Sequence, residues 1–211
     1  MLKKVPKQAR SEHMVACILA GATRVLDAVP LAEATTNHIA EVAGVSIGSL
    51  YQYFGSKEAI AHCLLHQHLE QTVGLLREIR IASRGCPVEE RMRLSFLEVL
   101  RDHRSHPMLH LNLTAVTQRE DFPPSQLKQV VGRMIDEIAL GLAEEHPEAD
   151  PDEIRVCATL RHQSSMLLAH AALDRRRFGQ DSVVMDYFDT LSAAQLSLLD
   201  RRPVRRAPQS S

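Results

Sequence analysis

Residues 35–65 read TTNHIAEVAGVSIGSLYQYFGSKEAIAHCLL, and the order of apolar, small and helix-breaking residues in this stretch predicts two short helices meeting at a sharp turn. Thr35 or Thr36 can cap the first helix, because a threonine hydroxyl accepts a bond from the backbone N–H groups that a helix start leaves open. Ile39, Ala40, Val42 and Ala43 fall on its inward face. Gly44 supplies the positive φ that stops the helix and turns the chain, Val45 plugs the space between the helices, and Ser46 caps the second. In that second helix Leu50 and Phe54 point to the core. Ser46, Ile47, Ser49, Gln52 and Tyr53 are thereby left to a DNA groove, with Tyr51 near the flanking backbone. Gly55-Ser56-Lys57-Glu58 ends the second helix and opens a long one, completing a helix-turn-helix pattern.

Outward from this stretch, helical spacing of apolar residues continues almost everywhere. Val15, Ile18, Leu19, Ala22, Val25, Leu26 and Val29 form one such series, and Leu127, Val130, Val131, Met134, Ile135, Ile138 and Leu142 another. No segment alternates like a strand. Prolines and glycines, among them Pro30, Gly85, Pro87, Pro107, Pro123, Pro124, Pro147 and Gly179, punctuate the chain at intervals suited to helices and short connections. The expected fold is all-α with about nine helices. Asp150-Pro151-Asp152-Glu153 marks one start plainly: Asp150 caps, Pro151 suits the first helical position, and the two acids complement the positive end of the dipole. A last helix carries Val184, Tyr187, Phe188, Leu191, Ala194 and Leu198.

The 211 residues are 45% hydrophobic, enough for a substantial core. No apolar run reaches the roughly 18 to 20 residues that span a bilayer, and Met1-Leu2-Lys3-Lys4 precedes no signal-like segment, so no membrane partner and a cytoplasmic location are expected. Cys17, Cys63, Cys86 and Cys157 are too scattered for a disulfide framework or a zinc ribbon. The net charge of −1 excludes a generally basic surface. Cations cluster locally, however, with Lys3, Lys4, Lys7 and Arg10 in an N-terminal arm and Arg201, Arg202, Arg205 and Arg206 in a tail expected to be disordered. Phosphate loops, nucleophile elbows and HExxH pairs are all missing, so neither an enzyme nor a cofactor is expected.

The pattern of Thr, Ile-Ala, Ala-Gly-Val-Ser, Leu-Tyr, Tyr-Phe and Ser-Lys-Glu closely resembles the DNA-binding domain of the tetracycline-repressor (TetR) family, over roughly Ser11 to Leu65. The resemblance implies a three-helix head and assigns roles within it. Thr35 and Thr36 offer hydroxyls and helix-end N–H groups to a phosphate, and Asn37 falls where relatives often reach DNA. Tyr51 and Lys57 look like a phosphate-binding pair. Ser46, Ile47, Ser49, Gln52 and Tyr53 are candidates for base readout, where Gln52 suits adenine and Ile47 a thymine methyl, and Gly48 permits close approach. Ile47 stands where many relatives carry Lys, and the second helix has no cation before Lys57. Affinity would then lean on the N-terminal arm.

The same resemblance implies a division into an arm (1–10), a DNA-binding head (11–57), a connecting helix (58–84), an effector-binding and dimerisation domain (85–200) and the tail (201–211). The implied partners are a double-stranded operator, a small-molecule effector and a second copy of the chain, joined through the last two helices as a four-helix bundle. Ser164, Ser165, Ala169 and Ala172 on one helix, with Tyr187, Phe188, Leu191 and Leu198 on the other, fit that plan. Candidate pocket residues are His66, Leu69, His103, Met108, Leu111, Met134, Cys157, His162 and Met166. The expected function is a repressor released from its operator by a ligand. Two alternatives stay open. One is a metal-responsive regulator built on His62 and His66, or on His103, His106 and His110; no metal ligand set is assigned. The other is a helical protein-interaction module that binds no DNA.

Overall fold

The computed structural model describes residues 9–119, 124–173 and 181–200. Lys3, Lys4, Lys7 and the tail from Arg201 lie outside them. Among the described residues there are nine α-helices and no strand: α1 (Ala9–Ala28), α2 (Thr36–Ala43), α3 (Ile47–Tyr53), α4 (Lys57–Ala82), α5 (Val88–Ser105), α6 (Pro107–Thr117), α7 (Pro124–Glu145), α8 (Pro151–Ala171) and α9 (Asp181–Leu199). The all-α expectation stands. No helix among these residues is long and apolar enough to cross a membrane.

The helices gather into two compact units, one of Met1–Gln71 with Asp102–Gln129 and the other of Thr72–Arg101 with Val130–Ser211. These units do not coincide with the expected boundaries. The head extends beyond residues 11–57 and takes in α6, the connecting helix divides after Gln71, and the expected 85–200 domain gives up residues 102–129.

In the first unit Ile18 and Leu26 of α1, Ile39 of α2, Leu50 of α3, Phe54 at the C-cap of α3 and Ile60 of α4 are fully buried. Each such side chain contributes about 1.5–3 kcal/mol through removal of apolar surface from water. Gly21 lets α1 and α2 touch: a Cβ there would stand 2.7 Å from the Ala43 Cβ and 2.8 Å from its backbone. α6 joins this core through Leu113 and Val116. It is fastened by buried Asn112, whose side-chain oxygen accepts from Leu31 N–H (2.8 Å) and whose Nδ2 donates to the carbonyls of Leu26 (2.6 Å) and Val29 (2.9 Å). One amide therefore satisfies the open carbonyls at the end of α1, the physical reason α6 belongs with the head.

The second unit has its own core, in which Phe96 of α5 stacks on Phe188 of α9 with centroids 4.2 Å apart. α8 starts where its sequence predicts, with Asp152 N–H donating to the Asp150 carboxylate at 2.8 Å and Pro151 in the first turn. A polar clamp binds α5 to α7: Arg91 donates to Glu144 (3.2 Å), to the Gly141 carbonyl (2.9 Å) and to Glu145.

Candidate nucleic-acid interface and effector cavity

The helix-turn-helix forms through local capping. Thr35 (φ −127°, ψ 150°) is the N-cap of α2, its hydroxyl accepting from His38 N–H at 3.1 Å. Thr36 does something else: its hydroxyl lies 3.0 Å from the Tyr51 hydroxyl on α3. Gly44 stops α2 in the left-handed region (φ 69°), where its N–H meets the carbonyls of Ala40 and Glu41. Arg24 from α1 covers the adjacent Val42 carbonyl at 2.7 Å. Ser46 caps α3, accepting from Ser49 N–H at 3.0 Å with the two hydroxyls 2.8 Å apart. Ser56 does the same for α4, accepting from Ala59 N–H at 3.2 Å.

These caps leave Thr35, Asn37, Ser46, Ile47, Gly48, Tyr51 and Gln52 exposed. Thr36, Ser49, Tyr53 and Lys57 are half-buried. Two placements differ from the sequence expectation. Tyr53 packs against the head core, because its position follows Leu50 by three residues and shares that helix face. Lys57 turns back to donate to the carbonyls of Ala32 and Ala34, both at 2.9 Å. Its ammonium thus ties the turn before α2 to the start of α4 and keeps one N–H direction open. Arg10, at the start of α1, is exposed.

The second unit holds a cavity of about 90 Å³, with Leu76, Met92, Phe96, Val99, Ile138 and Met166 among its apolar walls and Arg80, Arg91, Glu137, Arg161 and His162 among its polar ones. Of the nine pocket residues expected from sequence, His162 and Met166 line it. Met134 and Cys157 are buried but do not line the cavity. The remaining five, His66, Leu69, His103, Met108 and Leu111, belong to the first unit. Among them Leu111 is 53% exposed and Leu69 packs against the head core. Arg161 was missed, although a signal exists. It sits at the core spacing of α8 after Ile154, Cys157 and Ala158, an arginine on an apolar face.

The histidines assemble differently from either expected cluster. His66 pairs with Glu70 at 3.7 Å and His106 with Asp27 at 2.8 Å, so neither converges with other candidate ligands. Instead the Asp102 carboxylate of α5 lies 3.3 Å from Nε2 of His110 (α6) and 3.6 Å from Nδ1 of His68 (α4). His103 stacks on His110 at 4.0 Å. Among the described residues, His68, Asp102 and His110 are the one group whose ligand atoms all lie within 4.8 Å of each other. Burial, with His110 adding to it, brings His68 down to about 4. The hydrogen bond from His110 holds the Asp102 carboxyl below the usual carboxylate range.

Residues 18–63 match the family described as bacterial regulatory proteins, tetR family. No curated protein matches the chain. Solved structures share the fold over nearly the full length. A TetR-family transcriptional regulator from Streptomyces coelicolor is 22% identical, with 88% of this chain and 99% of that one covered at a TM-score of 0.64. A TetR family transcription regulator from Marinobacter aquaeolei is 17% identical (88% and 96% covered, TM-score 0.66). The transcriptional regulator FadR from Bacillus subtilis, solved in complex with stearoyl-CoA, is also 17% identical (87% and 96% covered, TM-score 0.65). The helix-turn-helix of α2 and α3 lies inside the segment that matches the DNA-binding region of the bacterial regulatory proteins, tetR family, and the nine helices of the described residues follow the fold these solved structures share.

Proposed function

We propose that the chain is a homodimeric repressor that holds a near-palindromic operator through α3 and releases it when a small molecule fills the cavity of the second unit. The observation that carries this reading is the exposed edge of α3. Ile47 (38% exposed) and Gln52 flank Gly48, offering an apolar contact and a bidentate amide with no bulk between them to hold the backbone away from a base edge. Thr35, Asn37 and Tyr51 supply phosphate contacts beside it, while Thr36, Ser46, Ser49, Tyr53 and Lys57 act mainly by fixing the helices.

Dimerisation is supported by an apolar stripe on the outer faces of α8 and α9. Val156, Leu160 and Leu167 are 59%, 44% and 71% exposed, and Val183, Tyr187, Leu191 and Leu198 are 43%, 62%, 39% and 45% exposed. Large apolar side chains exposed in this number on two helices call for a covering partner. A twofold pair would present two α3 helices to successive major grooves, about 34–36 Å apart. The effector reading is supported by the largely apolar cavity and by the FadR neighbour of similar fold, whose structure contains stearoyl-CoA. Release requires the ligand to favour a conformer with poorer DNA affinity, since a ligand indifferent to the two states shifts nothing.

Footprinting of DNA upstream of the chain's own gene and its neighbours tests the reading directly. A protected, roughly symmetric site at moderate salt is expected. Complete lack of protection in every segment would sink it.

A further inference from the structure

Three arginines line the second-unit cavity, and two have carboxylate partners. Arg80 donates to Glu137 and Glu144, and Arg91 to Glu144 and Glu145. Arg161 has none. It is 4% exposed, and both terminal nitrogens are buried without a hydrogen-bond partner. The Phe188 ring lies 5.0 Å from its guanidinium carbon. A π face attracts the cation but leaves in-plane N–H groups unsatisfied.

Neighbouring groups do not neutralise the charge. Burial pushes the Cys157 thiol up, so it stays uncharged at neutral pH. Glu89 is exposed on the first turn of α5 and acts on Arg161 only from a distance, without an ion pair. Burial lowers Arg161 to about 10, which still leaves it cationic at physiological pH. A buried cation with open donors is costly unless an anion completes it. Water in the cavity could occupy the donors but would not supply the missing charge. The remaining wall is mostly apolar and the space, about 90 Å³, suits a compact body. A planar fork of two N–H groups matches the two oxygens of a carboxylate.

Building on the reading of this cavity as the effector site, we infer that the ligand is a small apolar carboxylate whose carboxyl group pairs with Arg161. His162 beside it, kept neutral by burial, is available as a hydrogen-bond partner.

The test titrates the full-length protein with benzoate, butyrate and inorganic phosphate, and with the uncharged amides benzamide and butyramide, following Tm and calorimetric Kd. At least one of the two acids is expected to raise Tm with concentration and to bind tenfold or more tighter than its own amide. Arg161→Met removes the unpaired cation, so it should raise the unliganded Tm and erase the preference for acid over amide. Arg161→Lys keeps the charge without the fork and should weaken the acid at least tenfold. Acid binding unchanged in both variants overturns the assignment, as does phosphate binding tighter than either acid, or no binding by either acid. Operator affinity measured on the same samples separates the two readings. An Arg161-dependent acid that leaves DNA affinity untouched supports the ligand class and refutes release by it. Intact DNA binding with no acid bound refutes the ligand class alone.

Discussion

The Tyr51 hydroxyl stands 3.0 Å from the Thr36 hydroxyl, so the exposed phenol of α3 is braced against the first turn of α2. Both groups are solvent-accessible, and an exposed bond of this kind is worth about 0.5–1 kcal/mol. Tyr51→Phe should therefore leave the melting temperature nearly unchanged while weakening DNA binding about five- to tenfold. Because a phosphate contact carries no sequence information, fluorescence anisotropy should show similar losses on the operator and on an unrelated duplex. A loss confined to the operator would contradict the backbone role.

Lys57 is read as a brace that retains one donor for DNA. Its two bonds at 2.9 Å to the Ala32 and Ala34 carbonyls satisfy main-chain oxygens in the turn before α2. Lys57→Met should cost about 1–3 kcal/mol, the range for hydrogen bonds from a charged donor. It should also reduce the slope of log affinity against log salt by about one, the effect of losing one phosphate contact. Urea melts and a salt series check the two parts separately. An unchanged urea midpoint would remove the brace from the account, and an unchanged salt slope would remove the phosphate contact.

Gly21 predicts a larger and less local effect. Alanine is the better helix former by about 1 kcal/mol, yet its Cβ would meet Ala43 at 2.7–2.8 Å, including backbone atoms that cannot rotate away. α1 and α2 must then separate, and overpacking of this kind costs about 1–3 kcal/mol beyond the propensity gain. Gly21→Ala is expected to lower the denaturation midpoint and, by displacing α2, to weaken operator binding. A midpoint at or above wild type would show that the helices part freely.

The elements legible in the sequence are those governed by neighbours a few residues away. Thr35, Gly44 and Ser46 cap and turn the chain by rules that operate within four residues, and Asp150 with Pro151 starts α8 in the same way. What was not legible depends on distant partners. Asn112 fastens α6 to α1 across more than eighty residues, and nothing near it announces that role. α8 carries apolar residues on both faces, so periodicity alone could not choose between them. Ala169 and Ala172, expected at a subunit interface, turn inward, as does Phe188 of α9, while Val156, Leu160 and Leu167 point out. The expected pocket residues diverge from the observed lining for the same reason, since methionine and histidine at helical spacing fit a core as readily as a cavity wall.

The His68 site predicts the acid limb of the stability profile. His68 is mostly buried against Asp102, His103 and His110, and its folded value near 4 lies well below the unfolded 6.5. Between those values the unfolded chain binds more protons at this site than the native one, so stability rises with pH there and is lost as pH falls from about 6.5 toward 4. At 1.36 kcal/mol per unit, the loss from His68 alone is at most about 3 kcal/mol. Asp102, also lowered, adds a loss of the same sign beneath its ordinary value of 3.8. His162, lowered by burial in the second unit, acts in the same direction as His68, so a variant at His68 removes only part of the slope. Urea midpoints measured from pH 7.5 to 4.5 should fall more steeply for wild type than for His68→Gln, which has no proton to gain. Parallel curves for the two proteins would mean that His68 titrates as it does in water and that its burial carries no linkage.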